Sequence, residues 1–427
     1  MASYIRKRWI VEASSGTPRA ERRSCEYDAY LPDLLSQRTF RLDGDVAADV
    51  ADAEIAIARL DAHTGALTDT EALARILLRA ESVASSRIEG LVIGPRRLLR
   101  AEAARQMGES PADVSAEEIL GNIDAMRTAL EVAERGEPLT VYTLLEIHRR
   151  LMERTQLSEH AGRIRVVQNW VGGNIYNPCA AAYVPPPSDA VPALLQDLCE
   201  FCNSDMLPAV AQAAIAHAQF ETIHPFADGN GRTGRALIHL ILRRRGLSTL
   251  VQPPVSLILA TRAQDYVYRL TQFRYSGDAN CAEAHEGLNA WVAQFAVACV
   301  RAVDDAAAFE SRCQTIETAW REQLGRVRAG SSVDSLLRVL PGTPIISVKS
   351  AMVALGRSKP QVNEAVARLE RAGILKQVTV GRRNRAFEAR DVIDAFTDLE
   401  RQLASPTGDT RAAAPNRPVP ATPEVRR

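Results

Sequence analysis

Lysine is almost missing from this chain: only four of its 52 basic residues are lysines, the rest being arginines. No G-x-x-x-x-G-K-[ST] segment occurs, which excludes a P-loop nucleotide site. Aromatic residues make up only 5% of the chain, while Ala and Leu are abundant, so helix is favoured over sheet. No apolar run reaches the roughly 18 residues of a membrane span. The first thirty residues carry Arg6, Lys7, Arg8, Arg19, Arg22 and Arg23 and lack the apolar stretch of a signal peptide. Neither sign of charge is in excess, with 52 acidic residues against 52 basic ones. That excludes a polybasic coat and an acidic disordered chain, though not a local basic patch. The seven cysteines (25, 179, 199, 202, 281, 299 and 313) are scattered and odd in number. The expectation is a reducing cytoplasm without a disulfide scaffold and without a membrane partner. Cys199-x-x-Cys202 lies in the amphipathic stretch LLQDLCEFCNS with no second pair, and reads as two buried small residues.

With 427 residues the chain is long enough for two or three domains. Residues 1–45 have weak periodicity and read as an extended arm with a small packed element near Tyr27–Leu34. Apolar spacing predicts helices over 46–66 and 71–82, the latter running toward Ser85 and stopping at Gly90 and Pro95. Further helices are predicted over 116–135, 139–155 (with Thr140 as N-cap), 188–203, 207–222, 232–245, 261–275 and 285–325. Residues 162–187 alternate short runs around Gly172-Gly173-Asn174 and read as a hairpin or flap. After Gly330-Ser331-Ser332 come helices over 334–340, 348–355 and 359–372, then two β-like runs, Ile374–Val380 and Ala386–Ala389. The order helix–helix–helix–hairpin is that of a winged helix. Beyond about 405 the Pro, Ala, Thr and Arg content predicts disorder.

The chemistry concentrates in twelve residues, His224-Pro225-Phe226-Ala227-Asp228-Gly229-Asn230-Gly231-Arg232-Thr233-Gly234-Arg235. His224 precedes proline, so the preceding helix should end there and present an imidazole to a loop. Gly229 and Gly231 give the backbone freedom to form a nest of N–H groups. A helix starts directly afterwards, and a Gly-rich loop feeding a helix N-terminus suits an anion such as phosphate. Arg232 and Arg235, three apart, can reach one anion together. Asp228 would be repelled by bare phosphate, so its carboxylate implies a bridging Mg²⁺. A base, a metal ligand, an anion nest and two arginines within this span point to phosphoryl or nucleotidyl transfer.

The segment resembles the Fic (Fic/Doc) family signature H-P-F-x-[DE]-G-N-G-R-x-x-R at every defined position. The lead-in His217-Ala218-Gln219-Phe220-Glu221-Thr222-Ile223 and the stretch from Gln168-Asn169-Trp170-Val171-Gly172 to Pro185-Pro186 are also similar to Fic proteins. The resemblance covers roughly residues 70–300. It implies a mainly α fold: a Fic-type helical core with a short β-hairpin flap, followed here by a C-terminal winged-helix (α+β) domain. It implies protein adenylylation, in which AMP passes from ATP to a target hydroxyl on Ser, Thr or Tyr. His224 would be the general base, and Asp228 would hold Mg²⁺. Gly229, Asn230, Gly231 and Arg232, continuing through Thr233 and Gly234, would line the nucleotide site, and Arg235 would bind the γ-phosphate. Phe226 would anchor the loop, His217 would be a packed helix residue, and Tyr266 is a candidate for the adenine pocket. An extended segment of a target protein would dock by main-chain bonds on the flap near Tyr183 or Val184.

Ser85-Ser86-Arg87-Ile88-Glu89-Gly90 resembles the family's inhibitory motif [ST]-x-x-x-E-[GN], with Ser85 and Glu89 spaced i,i+4 on one helix face. The resemblance implies that Glu89 pairs with Arg235, blocks the γ-phosphate position and leaves ATP unproductive. In some members the same Glu supports removal of AMP. The sequential layout expected is an arm and inhibitory region over 1–110, the catalytic core over 111–300, a helical connector over 301–332, the winged helix over 333–403 and the tail over 404–427. Residues 333–403 hold twelve Lys/Arg and eight Asp/Glu. Lys359, Gln361, Asn363 and Arg368 on the third helix, with Arg382, Arg383 and Arg385 at the wing, suit a DNA partner. The alternative function is therefore a DNA-binding regulator with a nucleotide-sensing Fic domain. A homo-oligomer is left open.

Overall fold

The N-terminal segment expected as an extended arm is instead an antiparallel hairpin in the computed structural model, which describes residues 1–10, 23–65, 70–109, 113–380 and 384–403. Strands β1 (Ser3–Trp9) and β2 (Cys25–Leu31) pair from Ser3↔Leu31 to Trp9↔Cys25. Exposure alternates along β1, with the even-numbered residues Tyr4, Arg6 and Arg8 exposed. The half-buried face mixes Ile5 and Trp9 with Ser3 and Lys7, so period-two hydrophobicity is masked in the sequence.

Helices follow in the order α1 (Gly44–Gly65), α2 (Thr70–Ile88), α3 (Pro95–Gln106), α4 (Val114–Glu134), α5 (Val141–Met152), α6 (Val191–Asn203), α7 (Ala209–Ile223), α8 (Asn230–Arg244), α9 (Val255–Thr261), α10 (Ala263–Gln272), α11 (Ala282–Leu324) and α12 (Ser332–Gly342). The remainder is β3 (Ile345–Ile346), α13 (Val348–Leu355), α14 (Lys359–Arg371), β4 (Lys376–Val380), β5 (Asn384–Glu388) and α15 (Arg390–Leu403). The mainly helical expectation holds. Thr140 caps α5 in a capping box with Thr143. Pro95, expected to end a helix, instead begins α3, where its missing N–H costs nothing. The helix expected over 261–275 is α10, and a short helix that was not expected, α9, precedes it across a break at Arg262.

The chain divides into two units. Unit 1 comprises Met1–Asp61, Gly121–Thr249 and Gln264–Val300. Its centre is α7, with every residue buried except Glu221. AVAQAAIAHAQFETI carries one formal charge, so it can be surrounded on all sides. Trp291 is wholly buried and donates its indole N–H to the Ala214 carbonyl at 2.7 Å. Cys25 and Cys179, 154 residues apart, form a disulfide. This corrects the expectation of unpaired cysteines: β2 lies beside the 3-10 turn Pro178–Ala180, a proximity no sequence spacing reveals. The cysteine pattern therefore gives no support for a reducing compartment. No helix among the described residues is long and apolar enough to cross a membrane.

Unit 2 comprises Ala62–Leu120, Leu250–Ala263 and Arg301–Arg427, so the segment bearing Ser85 and Glu89 groups with the C-terminal region, unlike the sequential layout expected. Its sheet has the order β3-β5-β4, all antiparallel. Buried ion pairs hold its elements together. Arg79, 3% exposed, grips Glu102 through Nε at 2.7 Å and Nη2 at 3.1 Å, and donates Nη1 to Gly342 O at 2.6 Å. Glu388 is fully buried and is met by Arg96, Arg100 and Arg390. Arg87 reaches Glu400 at 3.1 Å. α15 was not foreseen, although Val392, Ile393, Phe396 and Leu399 give it a helical apolar stripe. The positions Arg382 and Arg383 and the tail expected to be disordered lie outside the described residues.

Candidate active site

α7 stops at His224, as its proline neighbour requires. His224 takes the left-handed conformation (φ 48°, ψ 61°), the one non-glycine residue with positive φ among those described. Such a conformation costs roughly 1–2 kcal/mol and persists only where its surroundings enforce it. The enforcement comes from Arg165, whose guanidinium donates to the carbonyls of His224 (2.8 Å), Pro186 (2.6 Å), Val167 (3.2 Å) and Ile223 (3.4 Å). The Arg165 N–H also bonds Pro225 O at 2.9 Å. A cation on the last carbonyls of a helix is where the helix dipole favours it. Burial pulls the Arg165 pKa down to about 10, which leaves it charged at neutral pH. Asn169 adds donors to His224 O (3.3 Å) and Phe226 O (3.0 Å). The sequence contains both residues, but nothing in their spacing announced a clamp on a loop fifty-odd positions away.

The loop is then closed by Asn230, whose side chain accepts from Phe226 N (2.8 Å) and donates to Phe226 O (2.9 Å). The Asn230 side chain thus ties the loop, which leaves its main-chain N–H for the expected nest. Phe226 is fully buried, the anchor expected. Gly229 has φ 76°, and a Cβ there would lie 2.9 Å from Leu151 Cδ2, so glycine is required. α8 begins at Asn230. The N–H groups of Asn230, Gly231 and Arg232 have no carbonyl within that helix to bond, whereas Thr233 N reaches Gly229 O at 3.0 Å.

Arg232 is the telling side chain. It is 4% exposed, its Nη2 lies 3.4 Å from Asp228 Oδ2, and its Nε and Nη1 are buried without a hydrogen-bond partner. A buried guanidinium with two idle nitrogens is costly, and an anion at the α8 N-terminus would satisfy them. Arg235, 1% exposed, has Nη1 3.5 Å from Tyr266 OH, and that hydroxyl lies 2.8 Å from His217 Nε2. Tyr266 is itself 3% exposed, so the structure puts it behind Arg235 and not on an open adenine face. Burial first, and the Arg235 charge second, push the His217 pKa down to about 3, so it stays neutral and packed, as expected. His224 Nδ1 lies 4.0 Å from Glu221 Oε2. Gly234, expected beside the nucleotide, faces α7: a Cβ there would meet Glu221 Oε1 at 2.6 Å and Phe220 Cδ1 at 2.9 Å. Thr233 is fully buried.

The flap is held by one bridge, Val171↔Tyr183, and not by a regular hairpin. Tyr183 has its N–H and carbonyl engaged by Val171, its hydroxyl on Thr222 O at 2.6 Å and the Arg274 guanidinium over its ring at 3.7 Å. Val184 is 6% exposed and its carbonyl accepts from Tyr30 N at 2.9 Å. These main-chain groups are spoken for within the chain, whereas Val166, Val167 and Ile175 of the same segment are exposed. In unit 2, Ser85 is fully buried near the end of α2. Glu89 is exposed and sits one residue past the helix end, in the turn closed by Gly90 (φ 85°), not within the helix as expected.

Among the described residues no group of three or more His, Cys, Asp or Glu is arranged to hold a metal. Asp228 is a single, half-exposed carboxylate. That donor set suits Mg²⁺, which binds one or two carboxylates and takes its other ligands from phosphate and water.

His224 in its left-handed turn, the open α8 N-terminus and the unsatisfied Arg232 guanidinium form an arrangement suited to an anion such as phosphate. Residues 138–242 match the family model described as Fic/DOC family, and residues 47–131 match that described as Fic/DOC family N-terminal. In these two segments the chain is similar to the Fic/DOC family. Protein adenylyltransferase fic-1 of Caenorhabditis elegans is 33% identical over 154 residues, covering 35% of this chain and 27% of that protein. Protein adenylyltransferase Fic of Culex quinquefasciatus is 30% identical over 252 residues, covering 55% and 47%. The chain thus spans about a quarter to a half of the length of these curated relatives. A Fic family protein from Desulfovibrio desulfuricans G20 shares the fold, with a TM-score of 0.50 at 22% identity over 83% of this chain and 98% of that one.

Proposed function

We propose that the protein is an adenylyltransferase that moves AMP from ATP to a side-chain hydroxyl of target proteins and of itself. The observation that carries this is the buried Arg232 guanidinium, with Nε and Nη1 unpartnered beside the α8 N-terminus. The polyphosphate lies against that N-terminus and Arg232, and Arg235 takes the γ-phosphate. Asp228 holds Mg²⁺, which supplies charge neutralisation on the phosphates when bound. His224, fixed in its turn by Arg165 and Asn169, accepts the hydroxyl proton. The hydroxyl oxygen bonds the α-phosphorus, the bond to the β-phosphate bridging oxygen breaks, and pyrophosphate leaves. The target lies along the flap. The Ser85/Glu89 motif restrains the enzyme by competing with the γ-phosphate for the Arg235 guanidinium, and Glu89 also serves removal of AMP.

Incubation with α-phosphate-labelled ATP and Mg²⁺ tests this on wild type, Glu89→Gly and Glu89→Gly/His224→Ala. Strong self-labelling of Glu89→Gly alone is expected. No label on Glu89→Gly would reject adenylyl transfer, and equal label on wild type would reject the brake. Label from UTP or GTP instead would change the donor.

A second reading is favoured by the C-terminal topology. A helix–strand–helix–helix–strand–strand unit, read as a winged helix, exposes Lys359, Gln361 and Asn363 on α14 and Arg385 on β5. Arg368 is not part of that face, because it donates to the carbonyls of Leu324 and Arg326. If this face binds DNA, the full-length protein will bind duplex with strong salt dependence that Lys359→Glu weakens.

A further inference from the structure

His148, on α5 and outside the signature, has no part in the chemistry above. Its side chain is fully buried, and its ring lies flat on Phe226 with centroids 3.7 Å apart and planes 2° from parallel. Nδ1 receives the Gly162 N–H at 3.0 Å. An amide N–H can only donate, so Nδ1 carries no proton. Nε2 then bears the proton of a neutral ring, and it lies 3.0 Å from the Asp228 carbonyl, which can only accept. Two main-chain groups fix the tautomer, one on each side of the ring. Gly162 and Gly229, the neighbour of Asp228, also lie close against the same stretch of α5. A Cβ on Gly162 would lie 3.0 Å from Arg149 Cβ and 3.1 Å from Leu145 O, and one on Gly229 would lie 3.4 Å from His148 Cδ2.

We propose that His148 is a positioning residue: one neutral imidazole, stacked on Phe226, ties the Asp228 main chain to Gly162, where the chain turns toward the flap. It sets the direction in which the Asp228 carboxylate meets phosphate-bound Mg²⁺, and it holds the root of the target-binding segment in register with it. The consequence for catalysis rests on the adenylyl-transfer reading; the two hydrogen bonds do not.

The two nitrogens can be separated by substitution in the full-length Glu89→Gly protein. His148→Asn places an amide oxygen near the Nδ1 position and keeps the Gly162 bond only. His148→Gln places an amide N–H near the Nε2 position and keeps the Asp228 bond only. Nitrogen NMR of histidine-labelled protein is expected to show one ring, absent in both variants, that is protonated on Nε2 alone. Hydrogen exchange of the Gly162 amide is expected to speed up about tenfold in His148→Gln and stay near parental in His148→Asn. The Mg²⁺ concentration that half-saturates binding of a fluorescent ATP analogue should rise about fivefold to tenfold in His148→Asn, and by less than about twofold in His148→Gln. A ring protonated on Nδ1, or variants that shift both readouts in parallel, would overturn the proposal. If the Glu89→Gly parent transfers no AMP or binds no ATP, adenylyl transfer fails as a function and the catalytic consequence with it. Ring protonation and Gly162 exchange still decide the hydrogen-bond assignment.

Discussion

Replacing Arg165 with Met keeps most of the aliphatic stem and removes the guanidinium donors that hold His224 in its turn, leaving only the longer bond from Asn169 to His224 O. The carbonyls of His224 and Pro186 accept the shortest bonds, at 2.8 and 2.6 Å, and lose a charged donor within a buried setting. Each loss costs about 1–3 kcal/mol. Part is returned, because a guanidinium whose pKa burial pulls to about 10 is itself expensive to keep inside. The net destabilisation is expected near 2–3 kcal/mol, together with release of the left-handed strain at His224 of about 1–2 kcal/mol. A base displaced by about 1 Å loses on the order of a hundredfold in rate. Self-adenylylation of Glu89→Gly/Arg165→Met should therefore fall at least about thirtyfold, with the midpoint of urea unfolding lowered. Arg165→Lys, with one ammonium for four carbonyls, should lie between. An Arg165→Met protein with an unchanged urea midpoint and transfer within about threefold of its parent would show that Arg165 does not hold the base.

Gly234→Ala forces a methyl against Glu221 and Phe220 where α7 and α8 meet, and should cost about 1–3 kcal/mol in unfolding experiments; an unchanged midpoint would mean the helices part freely. Glu400 carries a pH signature. Burial outweighs its ion pair with Arg87 and raises its pKa from 4.5 to about 7. The folded state then binds the proton more tightly than the unfolded state, so stability is greatest below about pH 4.5 as far as this group is concerned and falls as pH rises toward 7, by up to about 3 kcal/mol. Glu400→Gln should flatten the stability profile between pH 5 and 8, and a slope identical to wild type would assign it to other groups.

The signature loop was the most legible part of the chain, because its constraints are local. His224 before Pro225, the glycines at 229 and 231 and the apolar stripe of α8 announce a turn, a nest and a helix from adjacent residues alone. The division of labour within it was less legible. Asn230 looks like a ligand group but spends its side chain on Phe226, and Gly234 looks like part of the nest but is there for helix packing. Arg165 and His148 act on the loop across chain separations of 59 and 80 residues, which periodicity cannot see. The Cys25–Cys179 pair was hidden for the same reason, its two cysteines lying 154 residues apart, whereas the β1–β2 hairpin was hidden because β1 mixes polar and apolar residues on its half-buried face. Pro95 was misread because a proline signals both the end of one helix and the first turn of the next.

The ion pairs inside unit 2 constrain how this chain could be recombined with others. The C-terminal region looks like a cassette, ready to be exchanged between proteins at the Gly330 linker. Its buried carboxylate Glu388 is met by Arg390 from the same region but also by Arg96 and Arg100, and Glu400 by Arg87, these three on the far side of the signature loop in sequence. A graft of residues 331–403 alone would keep Arg390 beside Glu388 but leave behind Arg96 and Arg100 on α3 and Arg87 on α2 without their acidic counterparts. The heritable module is a discontinuous one. Changes in residues 70–106 and 331–403 should therefore be inherited as a pair, and chimeras that respect the apparent linker should fold worse than chimeras that exchange both stretches together.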